Sequence, residues 1–140
     1  MLGEFDLIAR YLAPLATDAP GAFGLTDDGA VLDDAEPGAR VVTLDTLVAG
    51  THYLPDDPAD LVARKALRVN LSDLAAMGAR PTGYLLSLAL APAADEAWVA
   101  RFTEGLAADQ ASYGVHLLGG DTTSTPGPTT LAVTALGTLV

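Results

Sequence analysis

The sequence runs to 140 residues, with 18 acidic against 7 basic side chains, a formal net charge of −11 and a pI near 4.2; that balance argues against nucleic acid or an anionic membrane as a partner. Half of the residues are apolar and 18 % are charged, enough for one domain with a core and too little charge for a disordered chain. There are no cysteines, which excludes disulfides, thiolate metal sites and thiol nucleophiles, and the pair His52 and His116 is thin for a zinc centre. No apolar run approaches the roughly 20 residues of a membrane-spanning helix. The opening MLGEFDLIARYL carries two acids and lacks the basic start of a signal peptide, so a soluble, cytoplasmic protein is expected.

Phe5, Ile8, Leu12 and Leu15 recur every three or four residues, one apolar face of a short helix ending near Leu15. Residues 16–27, with Pro20, Gly21 and Gly24, read as an exposed loop. Ala30-Val31-Leu32 and the β-branched run Arg40–Leu44, separated by the turn-rich DDAEPGA, suggest a hairpin whose second strand ends at Asp45. The next helix opens with Asp57 as N-cap and Pro58 in its first position, buries Leu67, Leu71, Leu74 and Met77, and stops at Gly78. Tyr84–Ala91 is almost wholly apolar, as a strand covered on both faces would be. Asp95 caps a helix that runs through Trp98, Phe102 and Leu106 to Tyr113, with Gly114 as its stop. Val115–Leu118 then reads as a short strand leading into Gly119-Gly120-Asp121, and Thr130–Val140 as the last strand. The order α-β-β-α-β-α-β-β predicts an α+β fold of two layers, a mixed sheet covered by helices on one side.

Four aspartates sit where apolar segments would hold them rigidly. Asp28 precedes Gly29–Leu32, Asp45 closes its strand, Asp73 lies on the long helix three residues after Asn70, and Asp121 follows a Gly-Gly pair. Each alone is also what a cap or a turn uses. Asp73 fits that explanation least, being a mid-helix acid in an apolar stretch. Carboxylates gathered from separate elements with few cations nearby call for a divalent metal, and magnesium takes one or two carboxylates together with phosphate oxygens. Gly119-Gly120 would let backbone N–H groups approach a phosphate, a tight turn being the plain alternative. His52 suits a phosphate contact or proton transfer as well as a merely exposed loop position, while His116, Trp98 and Phe102 read as structural. Walker A, GxGxxG and GxSxG motifs are all missing.

The segment LDTLVAGTHYLPDDPADLVARKALRVNLSDLAAMGARP, followed by LLGGDTT, closely resembles the thiamine-monophosphate kinases, as do GEFDLIARYLAPL and TDDGAVL. NLSDLAAMGA alone marks the wider superfamily of aminoimidazole ribonucleotide synthetase and selenophosphate synthetase; DTLVAGTHY narrows it. The resemblance implies transfer of the γ-phosphoryl of ATP to thiamine monophosphate, the last step of thiamine diphosphate biosynthesis, with ATP held by several magnesium ions in place of a P-loop. It assigns Asp28, Thr43, Asp45, Asp73 and Asp121 to metal, Gly120 and Asp121 to the nucleotide, and His52 to the thiamine phosphate. It also implies a homodimer formed through the sheet. No general base is expected, because the accepting phosphate is already anionic near neutral pH. Two departures stand out: Thr26 where the family usually has Gly, and Leu44 where it commonly has a hydroxyl residue. The resemblance further implies a longer protein with a second α/β domain, of which this chain is expected to be the N-terminal one. Another ATP-dependent synthetase of the superfamily and a non-catalytic dimerisation or metal-binding domain are the alternatives.

Overall fold

The computed structural model describes residues 2–32 and 37–140. Its centre is a four-stranded sheet in the order β1–β4–β2–β3, built from β1 (Arg40–Val48), β2 (Ala79–Leu90), β3 (His116–Ser124) and β4 (Thr130–Leu139). β4 pairs antiparallel with both β1 and β2, and β2 pairs parallel with β3. The N-terminal α1 (Glu4–Leu7) runs on through a π-helical turn, Ile8–Leu12, and a tighter turn, Ala13–Ala16. The long helices α2 (Ala59–Ala76) and α3 (Glu96–Tyr113) pack together, and α2 also packs on β1, β4 and β2. The predicted two-layer α+β fold with a mixed sheet is the one observed.

Helix α2 buries Val62, Ala63, Ala66, Leu67, Leu71 and Leu74, an apolar stripe at helical spacing. It meets α3 at Gly105, where a Cβ would lie 2.3 Å from the Asp60 carbonyl oxygen, so the two backbones approach as no larger residue would allow. Asp95 caps α3 by accepting from the Trp98 N–H at 2.9 Å. Between helices and sheet lie Tyr84, Phe102, Leu106, Leu117, Leu131 and Val133, all essentially buried. One side chain ties the layers. The Gln110 Oε1 accepts from the Tyr84 hydroxyl at 2.8 Å and the Leu117 N–H at 3.1 Å, and its Nε2 donates to the Leu15 carbonyl at 3.0 Å. Arg68 holds Asp109, which is 1 % exposed, through two bonds of 2.9 Å.

Several local expectations are corrected. Ala30–Leu32 forms no strand, and β1 takes β4 as its partner instead, since the β1 residues Thr43, Asp45 and Leu47 fall opposite the buried Ala135, Val133 and Leu131. The expected turn at Asp33–Glu36 lies outside the described residues. Residues 16–27 are not simply an exposed loop: Pro20–Leu25 forms tight turns broken by a left-handed kink at Phe23 and Gly24, and Ala16, Ala19 and Ala22 are buried. Pro58, not Asp57, occupies the cap position of α2, and Asp57 instead closes a turn by accepting from the Leu54 N–H at 2.9 Å. Met77 lies at the end of α2 and is 63 % exposed. β1 runs through Asp45 to Val48, and Gly119-Gly120-Asp121 lies inside β3 rather than beyond it. β2 is covered on one face only; Leu85 and Ser87 open outward.

Candidate functional site

Asp45 sits in β1, an edge strand. Its cross-strand partner Val133 is buried, so the Asp45 side chain leaves the sheet toward the helices, as does that of Thr43 opposite Ala135. Near the end of α2, Asp73 faces it, close enough for a hydrogen bond between the two carboxyls when one of them is protonated. Burial holds the Asp45 carboxyl above the usual aspartate range, the bond to Asp73 and its like charge add to that, and His52 opposes them. Leu44 points to the opposite face, where it is 60 % exposed, so its side chain has no part in this pair.

His52 is placed by the turn that follows β1. The N–H groups of Thr51 and His52 both donate to the Val48 carbonyl, at 3.0 and 2.9 Å, and Gly50 N–H donates to the Tyr53 carbonyl at 2.8 Å. The ring's Nδ1 accepts from the Val48 N–H at 2.8 Å. A neutral imidazole in that position carries its proton on Nε2, which is thereby left as a donor. The Lys65 ammonium on α2 donates to the His52 carbonyl. Nothing in composition or motif spacing singled out Lys65; the available signal was that Lys65, Val69 and Asp73 stand at i, i+4 and i+8 on one helix.

Asp28 and Asp121 line a different feature, a cleft of about 520 Å³ between the N-terminal segment and β3. Asp27, Gly119, Gly120 and Thr122 join its polar side, while Ile8 and Leu12 are on its apolar side. A Cβ on Gly120 would fall 1.8 Å from the Leu86 carbonyl oxygen, so β3 is laid against β2 at a spacing open only to glycine. The pairing slips one residue just before this point, where Leu118 is skipped between the pairs Tyr84–Leu117 and Leu85–Gly119, a bulge that sets the register of the Gly-Gly pair. The acidic lip is shaped by Phe23 and Leu25, both left-handed at φ 54° and 60°. Thr26 has a local task there, its hydroxyl donating to the Phe23 carbonyl at 2.7 Å, and the Asp28 N–H donates to Asp27 Oδ1 at 2.8 Å.

The four aspartates thus come as Asp45 with Asp73 and as Asp28 with Asp121. Among the described residues no three His, Cys, Asp or Glu side chains converge on one metal position. His116 is half-buried in β3, and Trp98 stacks on the buried Phe102 at 4.9 Å, both as structural residues. No helix among the described residues is long and apolar enough to cross a membrane.

Residues 26–139 match the family model for AIR synthase related protein, N-terminal domain. The thiamine-monophosphate kinase of Caulobacter vibrioides is 48 % identical over 134 residues, 96 % of this chain and 38 % of the relative. The crystal structure of thiamine-monophosphate kinase from Stenotrophomonas maltophilia K279a superposes with a TM-score of 0.81 at 42 % identity, over 99 % of this chain and 43 % of that one. AaThiL, complexed with AMPPCP and TMP, superposes at 0.69 with 29 % identity, over 97 % of this chain and 42 % of that one. The chain therefore spans about two fifths of the length of the relatives it matches.

Proposed function

This chain belongs to the family of AIR synthase related proteins, as an N-terminal domain of it, and on that footing we propose that it is the metal- and nucleotide-binding part of a thiamine-phosphate kinase. The activity is transfer of the γ-phosphoryl of ATP to thiamine monophosphate, giving thiamine diphosphate and ADP in the cytoplasm. The observation that carries it is the Asp45–Asp73 pair beside His52. Two carboxyls this close repel each other when both are ionised, and a divalent cation between them relieves that repulsion. Magnesium keeps waters and phosphate oxygens among its ligands, so a protein contribution of two carboxylates per ion suffices.

Asp45 and Asp73, with Thr43 on the same face, would hold magnesium at one end, and Asp28 and Asp121 would do so at the cleft. Bound there, magnesium supplies the positive charge that neutralises the transferring phosphoryl group. The protein's own task is placement. The close-packed Gly120 segment lets main-chain N–H groups reach the nucleotide phosphates, and the His52 Nε2–H donates to the phosphate of thiamine monophosphate. That phosphate attacks the γ-phosphorus in line, and its charge makes a general base unnecessary.

We also propose a homodimer through the outer face of the sheet. Val42 and Leu44 on β1 and Leu85 on β2 are 59, 60 and 39 % exposed on that face, an apolar stripe of the kind that marks an interface. The experiment for the activity is Asp45→Asn in the full-length enzyme. Phosphoryl transfer is expected to fall by orders of magnitude with the fold intact. Wild-type turnover in a folded variant would overturn the metal assignment.

A further inference from the structure

We propose that Lys65 is a positioning residue for His52: it fastens the turn after β1 to α2 and so fixes the imidazole beside the carboxyl pair. The inference rests on the reading of His52 as a contact to the accepting phosphate. Lys65 is the sole lysine of the sequence, and its ammonium donates to the His52 carbonyl. Two further bonds anchor His52, and both go to a single residue: its N–H donates to the Val48 carbonyl at 2.9 Å, and its Nδ1 accepts from the Val48 N–H at 2.8 Å. They tie His52 to the end of its own strand, and neither ties it to the helix that carries Asp73.

Lys65 supplies that missing tie. Packing joins β1 to α2, the Val48 bonds join the turn to β1, and Lys65 joins the turn to α2. The three links close a triangle of elements, and only a closed triangle sets the distance from the imidazole to both carboxyls. Lys65 and Asp73 are eight residues apart on one helix, so they share a face across two turns. Lys65 is itself exposed and packs nothing in the core, so its loss disturbs the turn without unfolding the domain. The ammonium also places a full positive charge at the one turn where a phosphate monoester would meet an otherwise acidic surface.

The test is ring-nitrogen NMR on this chain and on Lys65→Met and Lys65→Arg, at a pH where imidazole is neutral. Expected for the wild type is the single tautomer with the proton on Nε2. In Lys65→Met the ring is expected to populate both tautomers and the Val48 amide to exchange at least tenfold faster, at an unchanged melting temperature; Lys65→Arg restores both signals. An unaltered tautomer and unaltered Val48 exchange in Lys65→Met would overturn the proposal. In the full-length enzyme, Lys65→Met is expected to raise the KM for thiamine monophosphate about tenfold while the KM for ATP stays put. A released imidazole with an unchanged acceptor KM would leave the tie in place and overturn the assignment of His52 to the substrate.

Discussion

Replacing Asp45 with asparagine turns the carboxyl pair into a sharp test, because it moves stability in opposite directions with and without magnesium. In the wild type without metal, the Asp45 carboxyl titrates above the usual range, chiefly through burial and then through its bond and like charge with Asp73. An acid whose folded pKa is raised binds more protons folded than unfolded between the two values. Its contribution is therefore full below the ordinary aspartate value and is lost as the pH rises through the folded one. At pH 8 the pair is left with self-repulsion. The Asp45→Asn substitution removes the repulsion and keeps a donor for Asp73, so the variant should be the more stable by on the order of 0.5 kcal/mol, a figure held down because Asp73 is exposed and screened. With magnesium and a non-hydrolysable ATP analogue at 100 times the dissociation constant, the wild type should gain about 2.7 kcal/mol. For a 140-residue chain, whose unfolding entropy is about 0.3 kcal/mol per degree at the midpoint, that is about 9 °C. The variant should gain little, so the order of melting temperatures crosses over when metal and nucleotide are added. Differential scanning fluorimetry at pH 8 with and without both additives reads it. A metal-free variant that melts several degrees below the wild type would show that Asp45 serves the fold, and the reasoning would fail.

Three further outcomes follow from the geometry. Gly120→Ala must part β2 from β3, since its Cβ would sit 1.8 Å from the Leu86 carbonyl oxygen; a loss of about 2–4 kcal/mol in urea unfolding is expected, and a loss below about 0.5 kcal/mol would mean the strands give way freely. Gln110→Leu strips partners from the Tyr84 hydroxyl, the Leu117 N–H and the Leu15 carbonyl together, a loss of about 2–4 kcal/mol through unsatisfied buried groups; replacing Tyr84 by Phe in the same background should recover part of it. Leu44→Lys puts a charge on the open sheet face without touching the Asp45 side, so sedimentation should report monomer where the wild type gives dimer, with unchanged circular dichroism. A wild type that sediments as a monomer at tens of micromolar would remove the dimer.

What the sequence made legible, and what it hid, divides along a physical line. Helix-spaced apolar residues and caps act locally, so α2 and α3 were found nearly in full, as was the Asp95 cap. Strand pairing is non-local. Val31 and Leu32 look like a strand to any rule of composition, yet β1 gains more by pairing with β4, whose buried Leu131, Val133 and Ala135 fall opposite Leu47, Asp45 and Thr43. The bulge that draws Gly119 and Gly120 into β3 depends on a register set by β2, and no turn rule contains it. Motif matching singled out all four aspartates and His52, while their division into two pairs is a property of the packed helix and sheet. Lys65 escaped because an exposed lysine on a helix has the same local pattern whether it meets solvent or a turn.

The charge distribution bears on how an acidic chain would take the phosphate ligand proposed for it. Of the 7 basic residues, Arg68 is held by Asp109, Arg101 by Asp60 at 2.9 Å, and Arg40 reaches Thr138 at 2.8 Å. These cations are committed to joining helices and strands. Beside the carboxyl pair stands the His52 imidazole, and the Lys65 ammonium is spent on the His52 carbonyl. On the proposed kinase reading, two polyanionic substrates would not be balanced by those two groups. An arginine clamp would have supplied fixed charge, but would also have formed ion pairs with Asp45 and Asp73 and closed the site on itself. Carboxyls left without such a partner stay available, so that on the proposed reading positive charge would arrive with a metal-bound nucleotide.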